Sequence, residues 1–323
     1  MILDGIKTKK FLIIGRVGMD LCPHPPGTAT EHATDMMVTM GGSSANIAAG
    51  LSKFKCHTAL VTCVSDDAVG WYCLNQLDFY GIDKRHVRKV RGEERTSLAV
   101  YESRVENHQS VIYRNNAADF QMTIKDIEAI DFSDYGALIT AGTVFAAEPS
   151  RSAAFRAFER AKDNNMPVIF DIDYRPYSWP SADVAEDVLS RAGEMSDVVV
   201  GNDEEFGFMA GGIEKGRDKA RELARNDDRI AVYKMGEKGA ITFNGEVEIA
   251  TGIYPANALK PTGAGDSFMA GFISALAESM SLHDAVLRGS ACASITVSKP
   301  GCAAAMPDEA ELADFIDTHA YNG

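Results

Sequence analysis

The sequence has no surplus of basic residues: 46 Asp and Glu stand against 32 Lys and Arg, for a formal charge of −14. Such a chain is poorly suited to nucleic acid or an anionic membrane as its main partner, although a local basic pocket for a phosphorylated ligand stays open. No apolar run approaches the length of a membrane span. Residues 1–10 lack the apolar core of a signal peptide. Cysteine is sparse: Cys22, Cys56, Cys63, Cys73, Cys292 and Cys302 form no C-x-x-C pair and have no His cluster beside them. That argues against a zinc site, and a disulfide framework is not expected at this length. Reduced, buried thiols in a cytoplasmic protein are the expectation. Repeats and low-complexity tracts are missing. So are G-x-x-x-x-G-K-[ST] and H-R-D, which excludes P-loop and protein kinases.

What is present is 323 residues, 46% of them hydrophobic, enough for a large core. Residues 11–15, 59–64, 138–142, 168–171, 198–201 and 230–234 read as strands. Helical periods follow at 47–54, 67–80, 151–164, 267–279 and 282–298, with a last amphipathic helix starting near Asp308. This alternation predicts an α/β fold with a mostly parallel sheet and helices on both faces. Residues 97–103 and 110–113 alternate as a hairpin without an adjoining helix, and 240–250 forms another, turning at Asn244-Gly245. The first hairpin interrupts the rhythm. It fits either a small inserted sheet covering a cleft or an edge hairpin without function.

The chemistry is expected at Lys260-Pro261-Thr262-Gly263-Ala264-Gly265-Asp266. Phe268, Phe272 and Leu276, with Met269 and Ile273, repeat every fourth residue, so a helix with a buried face follows. Pro261 stops anything helical before it. Gly263, Ala264 and Gly265 then form a first turn whose N–H groups lack partners within the helix and suit phosphate oxygens. Asp266 beside that turn is placed to take a proton from an attacking hydroxyl. An ordinary capped helix, with Asp266 complementing the dipole, fits the same residues. A nucleophile elbow does not, because Met269 stands where that motif needs glycine.

Other candidates are spread along the chain. Gly41-Gly42-Ser43-Ser44-Ala45-Asn46 combines a glycine pair with a serine cap before a helix, and Asn46 offers an amide to sugar hydroxyls or is only a first-turn polar residue. Asp171, Asp173 and Arg175 alternate past a strand end, facing a ligand crevice if the chain stays extended. Arg175 suits a carboxylate or phosphate, and a local Asp–Arg ion pair is equally compatible.

The two Gly-rich stations at opposite ends of the chain resemble the ribokinase-like (PfkB) carbohydrate kinases, and the resemblance spans nearly the whole sequence. It implies one ribokinase-like α/β domain over 1–323, with a β lid from about 17–40 and 94–118. Asp266 falls on the family's catalytic base. Asn202 and Glu205 match its N-x-x-E element, which implies a role in placing magnesium, through water, and the phosphates. Residues 234–239 match its nucleotide-side glycine loop, which marks Lys234, Gly236 and Gly239. Ser290 stands where many members carry Asn near the adenine. The implied ligands are ATP, magnesium and a small sugar, with Asp20, Gly41, Gly42, Asn46, Asp171 and Asp173 toward the sugar. Within the family, residues 41–46, 113–119, 171–179 and 301–307 resemble kinases of a dehydro-deoxy sugar acid formed in myo-inositol breakdown; kinases of an isomeric acid are the alternative. Arg114 and Arg175 are then expected at the carboxylate. Lys260 stands where many members carry an Asp belonging to a monovalent-cation site, so little dependence on potassium is expected. Members often dimerise through the lid, which the apolar residues Leu98, Val100 and Val111 permit. A non-catalytic sugar or nucleotide sensor on the same fold is the reading of a different class; Asp266, Asn202 and Glu205 together argue against it.

Overall fold

The computed structural model describes residues 2–104, 106–226 and 228–323. Its thirteen strands among these residues are β1 (Lys10–Ile14), β2 (Gly18–His24), β3 (Asp35–Gly41), β4 (His57–Ser65), β5 (Val87–Val90), β6 (Leu98–Tyr101), β7 (Ser110–Tyr113), β8 (Ala137–Ala141), β9 (Val168–Asp171), β10 (Val198–Asn202), β11 (Ile230–Lys234), β12 (Ala240–Asn244) and β13 (Val247–Thr251). The α-helices are α1 (Ser43–Lys53), α2 (Ala68–Phe79), α3 (Ile124–Glu128), α4 (Ser150–Asp163), α5 (Ala182–Glu194), α6 (Asp203–Met209), α7 (Gly216–Leu223), α8 (Ala264–Ala277), α9 (Leu282–Val297) and α10 (Glu309–Thr318).

Nine strands form one sheet in the order β13-β12-β11-β10-β9-β8-β1-β4-β5, parallel except for the β11-β12-β13 meander. Period-2 geometry divides each central strand between two cores. Phe11 and Ile13 join one cluster with α1, α8 and α9, while Leu12 and Ile14 join the other with α4, α5 and α6. Val198 and Val200 against Val199 repeat the division. The expected α/β fold with helices on both faces is what the chain adopts.

The second sheet runs β3-β2-β6-β7. Its strands fall in the two stretches where the small inserted sheet is expected, except that β3 continues to Gly41; of that lid range only Val105 lies outside the described residues. Within the expected lid, the Pro23-His24-Pro25-Pro26-Gly27 piece carries no strand pattern of its own. Yet β2 runs to His24, and Pro23 is accommodated because pairing with β6 has already ended at Leu21. Helix α1 also starts earlier than expected. Gly42, at φ 100°, occupies the cap position, and Ser43 and Ser44 lie inside the first turn. The cap assigned to serine is therefore glycine's.

Candidate active site

Parallel strands deliver their C-terminal ends to one edge, and there the ligand crevice opens. Arg16 follows β1, Thr143 follows β8, Asp171 ends β9, Asn202 ends β10 and Lys234 ends β11; all line a single cavity of about 1130 Å³. Helices α1 and α8 start at the same edge. They pack so closely that a Cβ on Gly50 would lie 2.5 Å from that of Ala270. This approach brings Asn46 to Asp266, and the Asn46 amide donates to Asp266 Oδ2 at 2.8 Å.

The turn before α8 has the form its small residues demand. Gly263 is left-handed at φ 86°, and no side chain among the described residues caps the helix. The first-turn N–H groups therefore remain available, with the positive end of the helix dipole behind them. A Cβ on Gly265 would sit 3.9 Å from Lys234 Nζ, so an ammonium flanks the same turn. Burial, reinforced by the charge of Asp173, pushes the Asp266 carboxyl up to about 7. A carboxylate poised there suits proton abstraction near neutral pH.

The neighbouring acids differ. Burial holds Asp171 well above the usual carboxylate range, against the pull of Lys234, and raises Glu205 as well. For Asp173 burial acts upward too, but Arg175, 2.8 Å away, and the Ser43 hydroxyl donating at 2.6 Å outweigh it and keep the group low. Asp173 has φ 36°, so the chain is not extended through 171–175; the shared wall comes from a left-handed kink. The local Asp–Arg ion pair and the cavity-facing arginine both exist. On the lid side Asp20 is buried, its Oδ1 has no hydrogen-bond partner among the described residues, and burial pushes its carboxyl up to about 6. The amide oxygen of Asn46 also lacks a hydrogen-bond partner among them.

Every residue expected at the site from the sequence lines this cavity except Gly41. Gly41 serves Asp20 instead. An ideal Cβ on it would meet Asp20 Oδ1 at 1.8 Å, so glycine is what lets Asp20 lie across β3. Asn202 and Glu205 form a reciprocal capping box on α6, each backbone N–H donating to the other's side chain at 2.8 Å. One oxygen of each is thus spent on structure, and of this pair's side-chain oxygens only the second of Glu205 has no hydrogen bond among the described residues. Arg114 is tied to Asp119 at 2.5 Å and lies over the Phe120 ring. Ser290 accepts the backbone N–H of Tyr254 at 3.1 Å. Sequence reading missed Arg16, Ser43, Tyr101 and Thr143. For Arg16 and Thr143 a signal existed, since each directly follows a buried strand.

Curated relatives agree in length and kind. One from Geobacillus kaustophilus, a 5-dehydro-2-deoxygluconokinase, is 35% identical over 98% of this chain and 96% of its own. Another of the same name, from Photobacterium profundum, is 34% identical over 95% and 94%. Among solved structures, a fructokinase from Vibrio cholerae with fructose, ADP and calcium bound superposes with a TM-score of 0.84 at 23% identity, covering 96% of this chain and 99% of that one. A putative ribokinase II from E. coli with ATP and Mg2+ gives 0.83 at 19%, covering 96% and 99%. At these identities the two structures speak for the fold. No helix among the described residues is long and apolar enough to cross a membrane. The model of the pfkB family carbohydrate kinases matches residues 8–309, and this chain belongs to that family.

Proposed function

We propose that the protein transfers the γ-phosphoryl group of ATP to a primary hydroxyl of 5-dehydro-2-deoxy-D-gluconate. The observation that carries the reading is Asp266, raised to about 7 and held by Asn46 beside an uncapped turn and an ammonium. The name shared by near-full-length relatives supports the choice of acceptor. Asp266 takes the proton of the acceptor hydroxyl as its oxygen attacks in line. The N–H groups of residues 263–265 and Lys234 take up charge on the transferred group. Gly236, Gly239 and Ser290 lie toward the nucleotide. Asp20, Gly42, Asn46 and Asp173 receive the sugar hydroxyls, and the two orphaned oxygens of Asp20 and Asn46 supply acceptors for them. Arg114 and Arg175 flank the wall on which the carboxylate rests.

A divalent ion fits the donor set. Glu205 and Asp171 are buried acids raised by burial, so each is favoured in its charged form by an arriving cation. Glu205 and Asp171 would hold magnesium, with Asn202 reached through water. The chemistry it would supply is positive charge toward the phosphate oxygens. Lys260 takes the place of a monovalent cation, and the enzyme works in the cytoplasm, in keeping with six free, buried thiols.

The test of the acceptor is an ATP-coupled assay comparing 5-dehydro-2-deoxy-D-gluconate with 2-dehydro-3-deoxy-D-gluconate. Turnover is expected with the first. Preference for the second would move the assignment to the isomeric kinase, and no turnover with any sugar would favour a sensor.

The lid is proposed to join two copies. Register aligns Val38, Leu21, Val100 and Val111 in one row across all four of its strands. Val38 and Val111 are 45% and 46% exposed. V111E is expected to convert a dimer to a monomer in sedimentation. An unchanged mass would place any association elsewhere.

A further inference from the structure

The cavity holds three arginines on the sugar side, and they are not equivalent. Arg114 is neutralised by Asp119, and Arg175 by Asp173. Arg16 is 7% exposed, yet its one side-chain hydrogen bond among the described residues is to a neutral group, the Ser97 hydroxyl, 2.9 Å from Nη1. No carboxylate lies within ion-pair distance of it among the described residues. Its place is fixed from both sides. Its backbone lies just past the end of β1, and its guanidinium passes Gly18 so closely that a Cβ there would lie 2.9 Å from Nη1.

Asp20, Asp173 and Asp266 feel the charge of Arg16 only from beyond ion-pair distance. Burying a guanidinium whose remaining N–H groups have no contact partner is costly, and such groups are kept where an anion completes them. Five N–H donors in a fork match a carboxylate in two-point fashion. A neutral sugar does not repay that cost. An anionic substrate does.

We infer that Arg16, standing unpaired in the cavity wall between β1 and the lid, is the specificity-determining receptor for the carboxylate of the substrate. Arg114 and Arg175, already neutralised, shape the wall around it. The inference rests on the proposed sugar-acid reading. Ser97 acts as a positioning residue, because its hydroxyl holds one branch of the fork.

The experiment compares the sugar acid with its primary amide, which has the same skeleton and no charge. Wild type is expected to favour the acid in kcat/KM by about 100-fold, the size of a charge-assisted two-point contact. R16M is expected to lower kcat/KM for the acid about 100-fold, mainly through KM, and for the amide less than about 5-fold, erasing the preference. R16K, which keeps the charge and loses the fork, is expected to fall between. Equal losses on acid and amide in R16M would make Arg16 structural and overturn the inference. So would an undiminished acid preference in R16K and R16M, or its loss in R175M alone. If R16M does not fold, the R16K comparison decides alone, with retained preference counting against. A wild type that turns over neutral sugars and not the acid would sink the sugar-acid reading itself, and this inference with it.

Discussion

Asp266→Asn is expected to lower turnover by about 10²–10⁴-fold while ATP binding stays near the wild-type level. The amide keeps the shape and can still accept the Asn46 hydrogen bond, so the loss isolates proton abstraction. Calorimetry with ATP and a coupled assay measure the two halves separately. In wild type the ionised carboxyl is the active form. With the group at about 7, kcat/KM should be level above that pH and fall tenfold per unit below it. The same shift has a sign for stability. Asp266 binds its proton more tightly folded than unfolded, where 3.8 is usual, so ionisation in place costs stability as pH rises between these values. Asp266→Asn removes that cost. Its melting temperature should exceed that of wild type, by a margin that grows from pH 4 to pH 7 and then stays constant. Near-full turnover in the variant would move the base to another residue. A margin that shrinks with pH would contradict the buried, ionised carboxylate.

The parts of this architecture that were legible are those written in local patterns. The α8 turn is one: three small residues, then a four-residue apolar period, leave the chain little else to do. The central strands are another, since both of their faces are buried and they read as short apolar runs. What stayed hidden depends on contacts distant in sequence. Ser43 looked like a helix cap because its neighbours suit one. Its hydroxyl instead reaches Asp173, 130 positions away, and Gly42 does the capping. Asn202 and Glu205 illustrate a degenerate spacing. Residues three apart at a helix start suit a shared ligand and a capping box equally, and the sequence carries no mark to separate them. Gly41 is expected toward the sugar, but the space that its missing side chain leaves is filled by Asp20. Arg16 belongs to no local pattern. Its meaning lies in the contact ion pair missing from it among the described residues, which only the assembled cavity reveals.

Lys260→Ala should cost about 10²-fold in kcat, and potassium should restore part of that loss. Lys260 is fully buried, and Nζ donates to the carbonyl oxygens of Thr262 at 2.5 Å and Thr296 at 3.3 Å. Burial lowers the ammonium's pKa, while the nearby thiols, Asp266 and Asp20 pull the other way. Two carbonyls converging on one cation give part of the oxygen shell that a bare ion needs, and water can complete it. The peptide after Thr262 opens the turn whose N–H groups face the phosphate. An ammonium pinning that carbonyl therefore sets the position of the whole turn. Removing it leaves two buried acceptors unpaired, at about 1–3 kcal/mol each, and frees the turn to shift. A displacement of about 1 Å next to the reacting atoms is enough for a 10²-fold loss. Wild type, with the position occupied covalently, should gain less than about 2-fold from potassium over sodium at fixed ionic strength, because its carbonyls are already satisfied. In Lys260→Ala the same exchange should raise kcat about 10-fold, since potassium sheds its water for carbonyl oxygens at lower cost than sodium does. A wild type strongly stimulated by potassium would show that the ammonium replaces nothing, and a variant blind to both ions would show that the vacated niche is not a cation site.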